Sequence, residues 1–507
     1  MVKKTNYDSE FCGSLPLNHI NVIQQYGYLL VVDNQTLQIL QVSENIGQLL
    51  GRDFTELIGV LLNEFTDTTL LNELLKRFES RSKDKIPLTL NIFDKTYPTT
   101  AHFKEKFTIL EIEKAEFSSE RSFTQVYEDL KYTIASLELC ETAEEVSTAI
   151  VKELKRLTGF DGVMMYRFDS DWNGTVIAQD KTAPELEDYM GHTFPASDVP
   201  KQARDLYLKN PYRQIPDRDY QAVKLYPVIN PVTNTFIDLS DCNLRGVASV
   251  HLEYLKNMNV SSSMSIRIIH DGALWGLIAC HHVKPYYLNF ELCSICELLS
   301  SISSNRISAI IHKTNFDQET ELQHQQTELI AQVYASNNLL TGLFSDANNN
   351  LLKMFNAGGV IATYRGGYEI LGRVPDRDML DNMILWLQHK TSGNIFVTEQ
   401  LTDAFEEAEP YASVASGALV IPIDAEKGEF IICFRPEVVQ TISWGGDPNN
   451  AIRFEPDGKK YHPRASFKIW QQTVHNTAVA WSKLEIAAAD RLKSFIYEYT
   501  SKETQEF

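Results

Sequence analysis

Apolar and polar positions change their period repeatedly along this chain, and each change marks an element or a boundary. Residues 28–32 (Tyr-Leu-Leu-Val-Val) form an unbroken apolar run that predicts a buried strand, and residues 37–42 (Leu-Gln-Ile-Leu-Gln-Val) alternate as a half-buried strand does. Ser43, Glu44 and Asn45 offer a cap for a short helix ending at Leu49-Leu50-Gly51. Near residue 118 the texture turns helical and stays so to Leu157. Residues 162–168 read as a strand of mixed polarity, and 263–269 and 274–280 as two strands joined by the turn His270-Asp271-Gly272-Ala273. A Pro/Asn/Asp-rich excursion runs from 195 to 241, well beyond the ~12–15 residues of an ordinary loop, and its tyrosines and arginines point to function.

From residue 290 to 336 the pattern is helical, with almost no Gly or Pro and with Ile295, Leu299, Ile302, Ile310, Leu322, Leu329 and Val333 at roughly helical spacing. Such a length predicts a domain connector or a dimer seam. A third region, to about residue 467, is mixed again, with strands at 418–422 and 430–434. The tail, 468–498, reads as a second long helix carrying Ile469, Trp481, Leu484, Leu492 and Ile496; a connector so near the end of the sequence suggests an output module beyond it. The paired strands, polar turn and short helices before residue 118 suggest a PAS-type sheet. At 507 residues the chain exceeds the ~250–300 that one core supports, so the expected fold class is α/β (α+β): three mixed sensor domains strung on long helices.

A net charge of −20 and the lack of a basic run argue against a nucleic-acid partner. The seven cysteines, Cys12, Cys140, Cys242, Cys280, Cys293, Cys296 and Cys433, are few, odd in number and scattered, as reduced thiols are. Cys293 and Cys296 lie on a helical apolar run and read as packing rather than as half a zinc site. The polar N-terminus does not resemble a signal peptide, and no stretch approaches the ~18 apolar residues of a membrane span. The expectation is a soluble, cytoplasmic protein with no membrane partner.

Three blocks carry the chemistry. Pro195-Ala196-Ser197-Asp198-Val199-Pro200 is followed by Tyr207 and by Asn210-Pro211-Tyr212-Arg213. Val250-His251-Leu252-Glu253-Tyr254 precedes Ser263-Met264-Ser265 and the run 274–282, which ends in His281-His282. Trp444-Gly445-Gly446-Asp447-Pro448 precedes Pro463-Arg464-Ala465-Ser466-Phe467. Together these blocks resemble the photosensory core of bacterial phytochromes, in PAS–GAF–PHY order over essentially the whole chain. The implied domains are 1–118 (PAS, with the attachment segment), 119–315 (GAF) and 316–507 (PHY, with a tongue at about 437–467 and an output helix). The implied function is a red/far-red photoreceptor, not itself an enzyme, that binds biliverdin covalently and regulates an output module.

The resemblance assigns roles residue by residue. Arg213 and Arg245 match the clamps for the bilin propionates, a task suited to guanidinium, with Tyr207, Tyr254, Ser263 and Ser265 as hydroxyl donors. The backbone carbonyl of Asp198 and a water held by His251 match the acceptors for the pyrrole N–H groups; His281 matches the partner of the ring D carbonyl. Tyr166 and Phe194 line the space into which that ring turns. The attachment thiol of plant phytochromes precedes the histidine matching His251, where this chain has Val250; Cys12 matches the bacterial attachment cysteine and points to biliverdin as a thioether. A figure-of-eight knot is implied, with the segment around Ile23 threaded through the 217–248 excursion. Arg464, with Trp444 and Ser466, matches the tongue contact that pairs with Asp198. A homodimer, a downstream output domain or response regulator, and a histidine-kinase parent are implied as well.

The chain departs from the family at Val199 for isoleucine, at Asn259 for glycine, and at Ala248 where a hydroxyl residue is common. A GAF sensor of a cyclic nucleotide or haem is the alternative, but it gives Cys12 and the last block no purpose. A Cys280–His281 catalytic pair is disfavoured, because neighbours on a strand face opposite sides.

Overall fold

The computed structural model describes residues 21–67, 76, 85–114, 123–344, 350–390, 393–448, 452–454, 461–464 and 466–505. The chain divides into two compact units, residues 1–310 with 443–470, and residues 311–442 with 471–507. Among the described residues no helix is long and apolar enough to cross a membrane.

Among the described residues the first unit holds two large sheets and a small two-stranded one, Ile452–Phe454 with Tyr461–Pro463. In the N-terminal one, seven strands lie in the order Val22–Ile23, Val223–Tyr226, Ile39–Ser43, Gly27–Asp33, Phe107–Glu113, Lys95–Phe103 and Lys85–Ile92. Gly27–Asp33 is apolar at successive positions because both of its faces are covered. Tyr28, Leu30 and Val32 pack against Ile46, Leu50 and Leu57, while Leu29 and Val31 pack against Ile237, Leu239 and Leu244 of the long excursion. The excursion thus completes the core of a sheet more than a hundred residues upstream.

The short strand Val22–Ile23 lies between the two legs of that excursion. It pairs with Val223 and Lys224 on one side. On the other, Gln24 N donates to Leu244 O (2.7 Å) and Gly246 N to Val22 O (2.8 Å). Gln24 Nε2 adds bonds to the carbonyls of Gln214, Asn243 and Arg245. This is the neighbourhood that threading requires; residues before Asn21, Cys12 among them, lie outside the described residues. Glu111 ties the same junction, its Oε1 accepting from Leu244 N (2.6 Å) and its Oε2 lying 2.6 Å from His102 Nε2.

The second sheet is antiparallel in the order Tyr212–Ile215, Ser262–His270, Ala273–His282, Gly162–Phe168, Gly174–Lys181 and Thr193–Phe194, with Trp444 beside Thr193. The hairpin turns through Asp271 (φ 50°) and Gly272 (φ 74°), both left-handed as a tight two-residue turn demands. Asn259 also adopts φ 58°, so asparagine serves where glycine is common.

The structure corrects three sequence expectations. The helical stretch expected from 118 to Leu157 is two helices, Phe123–Glu138 and Ala143–Thr158, because Thr142 and Glu145 form a capping box that starts the second one afresh. Inside the excursion lies an unanticipated helix, Lys201–Lys209. The tail helix is Lys483–Gln505 rather than 468–498: Trp470–Val474 is a strand, Asn476 is left-handed, and Ser482 Oγ accepts from Glu485 N to open the helix. The long helix Phe290–Ser336 is found as read.

In the second unit a five-stranded sheet runs Gly367–Gly372, Gly359–Tyr364, Glu429–Arg435, Gly417–Asp424 and Phe396–Thr398. Alternation divides its cores. Leu419, Ile421, Ile431 and Cys433 face Leu329, Val333, Trp481 and Leu492, whereas Ala418, Val420, Ile432 and Phe434 face Met379, Leu380, Met383 and Leu387.

Glu111 provides a test of the junction. Burial pushes its carboxyl up, but the charge and hydrogen bond of His102, with the Leu244 N–H and Lys85, outweigh this and hold it below 4.5. A depressed carboxyl stabilises the fold above its unfolded value, and the contribution is lost as pH falls through the folded one. Urea unfolding should therefore show stability dropping below pH 4.5. Glu111→Gln should flatten that acid limb and lose about 3–5 kcal/mol at pH 7, as expected when one partner of a buried pair is removed.

Candidate functional site

Strand register gathers the candidate residues. Arg213 lies opposite Ser265, Ser265 opposite Ala279, Ser263 opposite His281, and Leu277 opposite Tyr166. Side chains directly opposite in an antiparallel sheet share a face, so these residues form one wall while Cys280 points the other way into the core. A second wall is the helix Ser249–Asn257, where His251 and Tyr254, one turn apart, stack with ring centroids 5.9 Å apart and planes at 11°. The third is the segment 194–198 with Tyr207 of the following helix.

The walls surround a cavity that opens to solvent. Tyr166, Phe194, Asp198, Tyr207, Arg213, Arg245, His251, Tyr254, Ser263, Ser265 and His281 all line it. Pro463 joins them from the segment 461–464, and Ala248 and Val250 lie in the same wall. Ser197, Val247 and Asn210 line it too without having been singled out as site residues; only their places beside Asp198, Ala248 and Pro211 hinted at them.

The cavity combines two buried guanidiniums with two neutral imidazoles. Arg213 Nη2 donates to the carbonyls of Arg245 (2.8 Å) and Gly246 (2.9 Å), while its buried Nη1 has no partner among the described residues. Burial, then the neighbouring Arg213, lowers Arg245 to about 9. Two buried guanidiniums that penalise each other form a site for a dianion. Ser265 hydrogen-bonds the Tyr207 hydroxyl beside them. Burial, with the charge of Arg213, lowers His251 to about 4; burial, with His251, lowers His281 to about 4. Both imidazoles are neutral at pH 7, each with one donor and one acceptor nitrogen.

Asp198 ends the short 3₁₀ turn Ala196–Asp198. Its Oδ2 accepts from Tyr254 Oη (2.9 Å) and from Arg464 Nη2 in a buried ion pair. The Arg464 guanidinium lies over Phe194 (5.4 Å) and Phe467 (5.0 Å), and Phe467 meets Tyr254 edge-on at 4.9 Å. Asn257 Nδ2 donates to Arg464 O (3.0 Å), and His462 Nδ1 lies 2.8 Å from Glu253 Oε2. Glu253 and Asn257, at i and i+4, give the helix a second working face that was not foreseen. Trp444 pairs beside Thr193, and Gly445 N donates to Thr193 O (3.0 Å). A Cβ on Gly445 would sit 2.6 Å from the Phe194 ring, so only glycine allows that approach. Ser466 is exposed and its Oγ accepts from Lys468 N, within its own segment.

Residues 12–115 match a family model described as a PAS fold, 142–309 a GAF domain, and 322–505 a phytochrome region. Cyanobacterial phytochrome A of Nostoc sp. is 34% identical over 100% of this chain and 67% of its own length. A bacteriophytochrome of Xanthomonas campestris pv. campestris is 30% identical over 98% of this chain and 80% of its own. The chain belongs to the phytochrome family. Its fold is that of solved phytochrome cores. A bacteriophytochrome from R. palustris superposes with TM-score 0.82 at 32% identity, covering 96% of this chain and 98% of that one. The wild-type Stigmatella aurantiaca phytochrome photosensory core module gives TM-score 0.82 at 32% identity, covering 98% and 99%. This phytochrome spans about two thirds of the length of the Nostoc phytochromes it matches (66% and 67%).

This phytochrome is therefore a red/far-red photoreceptor with a bilin chromophore, not a sensor of a cyclic nucleotide or haem. The cavity fits such a group: it offers buried cations for two carboxylates, neutral imidazoles, and partnerless buried polar atoms at Arg213 Nη1 and Ser197 Oγ.

The depressed histidines set a second pH dependence. Between pH 6.5 and about 4 the unfolded chain binds protons that the folded chain refuses, so stability without bilin should fall as pH drops through that window. Replacing His251 and His281 by Gln should flatten urea midpoints between pH 7 and pH 5.

Proposed function

We propose that this chain binds biliverdin as a thioether of Cys12 and photoconverts between two states that steer an output module. The observation that carries the reading is the single cavity in which Arg213, Arg245, His251, His281 and Asp198 converge. The absence of a thiol at Val250 favours Cys12 as the attachment residue, and with it biliverdin. The bilin, when bound, supplies red-light absorption and a double bond that isomerises.

The protein's own groups hold and orient. Arg213 and Arg245 with Tyr207, Ser263 and Ser265 hold two carboxylates; the Asp198 carbonyl accepts from N–H groups. His251, neutral and stacked on Tyr254, holds a water in hydrogen-bonding position. His281 donates to a terminal carbonyl, and Tyr166 and Phe194 bound the space in which a terminal ring turns. Arg464 locks the 443–470 segment onto Asp198. Such a buried pair is weak evidence for stability but suits a switch, since its release frees two charges to re-pair. The domain limits are 1–118, 119–315 and 316–507, with the tongue at about 437–467, in a cytoplasmic homodimer. Attachment is self-catalysed, and the segment around Ile23 threads the 217–248 excursion. A histidine kinase or response regulator lies downstream.

Mixed with biliverdin, the chain should acquire a red band that shifts reversibly under red and then far-red light. The colour should survive denaturation in the parent and be lost in Cys12→Ser; a band unmoved by light would overturn the reading. Arg464→Ala should bleach under red light normally but accumulate less of the far-red-absorbing product, or lose it several-fold faster in the dark. An unchanged, stable product would remove Arg464 from the lock.

A further inference from the structure

The turn that carries Asp198 is held at Ala196 and at Val199 by groups to which nothing above gives a role. The turn that follows strand Gly162–Phe168 is closed by Asp169, whose Oδ1 accepts from the N–H groups of Asp171 and Asn173 (both 2.8 Å). Its Oδ2 accepts from Asn173 Nδ2 (3.0 Å), which fixes the Asn173 amide so that Oδ1 faces Ala196 N and accepts from it (3.3 Å). In the same turn Trp172 adopts φ 65°. A bulky residue in the left-handed region is uncommon, and such strain persists only where the surroundings over-determine it. Over the Trp172 ring, 4.3 Å from its centroid, lies the guanidinium of Arg204.

Arg204 comes from the helix Lys201–Lys209 and is only 4% exposed. Its Nη1 donates to Val199 O (2.7 Å), the carbonyl next after that of Asp198. Stacking on Trp172 fixes the plane of the guanidinium, so the direction of this bond is set as well as its length. The turn Ala196–Asp198 has no side-chain cap of its own, and Val199 leaves it at φ −126°, ψ 78°, outside regular structure. Besides its own bond from Asp198 N to Pro195 O (2.9 Å), the turn is held from outside by Asn173 at Ala196 and Arg204 at Val199.

We infer that Arg204, braced on Trp172, is a positioning residue that aims Asp198 at both the cavity and Arg464. In this role Arg204 acts through the 196–199 backbone. The inference rests on the proposed reading of Asp198, so the test separates the two.

Asp198→Asn, Arg204→Met and the double variant are compared in two states. Without bilin, hydrogen exchange is followed across 443–448 and 461–470. Each single variant should raise exchange there about tenfold, and the double variant no further, since residues acting through one contact are not additive. With biliverdin bound, the pH at which the red band is lost should fall by about one unit, ~tenfold in proton affinity, in both single variants and no more in the double. Arg204→Lys keeps the charge but loses the planar stack, and should recover only part of each effect; Trp172→Leu should resemble it.

If Asp198→Asn changes both readouts and Arg204→Met changes neither, or if their effects add, the positioning role is wrong. If Asp198→Asn itself leaves exchange unchanged, the Asp198–Arg464 lock falls with it. A purely structural Arg204 would raise exchange equally in Ser262–His270 and Gly162–Phe168. Should Arg204→Met fail to fold, Arg204→Lys and Trp172→Leu decide on the same readouts.

Discussion

A buried ion pair between Asp198 and Arg464 joins two stretches of chain more than 260 residues apart, and the surrounding structure is arranged to make it tolerable. Burial opposes the charge on Arg464, whose pKa is lowered to about 10. Desolvating two charges is repaid only when geometry and further hydrogen bonds are good. Here Tyr254 shares the carboxylate, Phe194 and Phe467 flank the guanidinium, and Asn257 holds the arginine backbone. The glycines make the approach possible: Gly445 abuts Phe194, and Gly446, at φ 105°, lies where a Cβ would meet Ser466 O at 2.5 Å. Remove any of these and the pair becomes two costly buried charges.

The cavity applies the same economy with the opposite sign of ligand. A chain of net charge −20 repels a dianion at long range, yet screening limits that field to about 10 Å or less at physiological salt. Arg213 and Arg245 act inside that distance, in a region where Asp198, already engaged by Arg464, is the sole acid among the described lining residues. The two neutral histidines that line the same cavity add no further charge.

Much of this was legible because it depends on local rules. Apolar runs and strand-type patterning placed the strands at 28–32, 162–168, 263–269, 274–280, 418–422 and 430–434, and period and length placed the helix Phe290–Ser336. The family resemblance marked eleven residues that do line one cavity, eight of them inside the motif blocks. What escaped depends on partners distant in sequence or on one short signal. The break at 140–142 hangs on a single capping box, and the helix Lys201–Lys209 hides in a polar stretch whose main buried residue is Arg204. The late start of Lys483–Gln505 follows from Asn476 and Ser482. The second working face of Ser249–Asn257 shows only when Glu253 and Asn257 meet a segment 200 residues away.

The strand Val22–Ile23 has its partners at 223–224 and 244–246, so the edge of the first domain is unfinished until the second is largely made. At roughly 5–20 residues per second, a ribosome leaves that edge waiting on the order of ten to forty seconds. During that interval Ile23, Leu29 and Val31, all fully buried in the finished molecule, have no cover from Leu239 or Leu244. The nascent chain therefore carries a sticky, half-built sheet for longer than most small domains take to fold. Its yield in the cell depends on what shields that surface as much as on the stability of the completed protein.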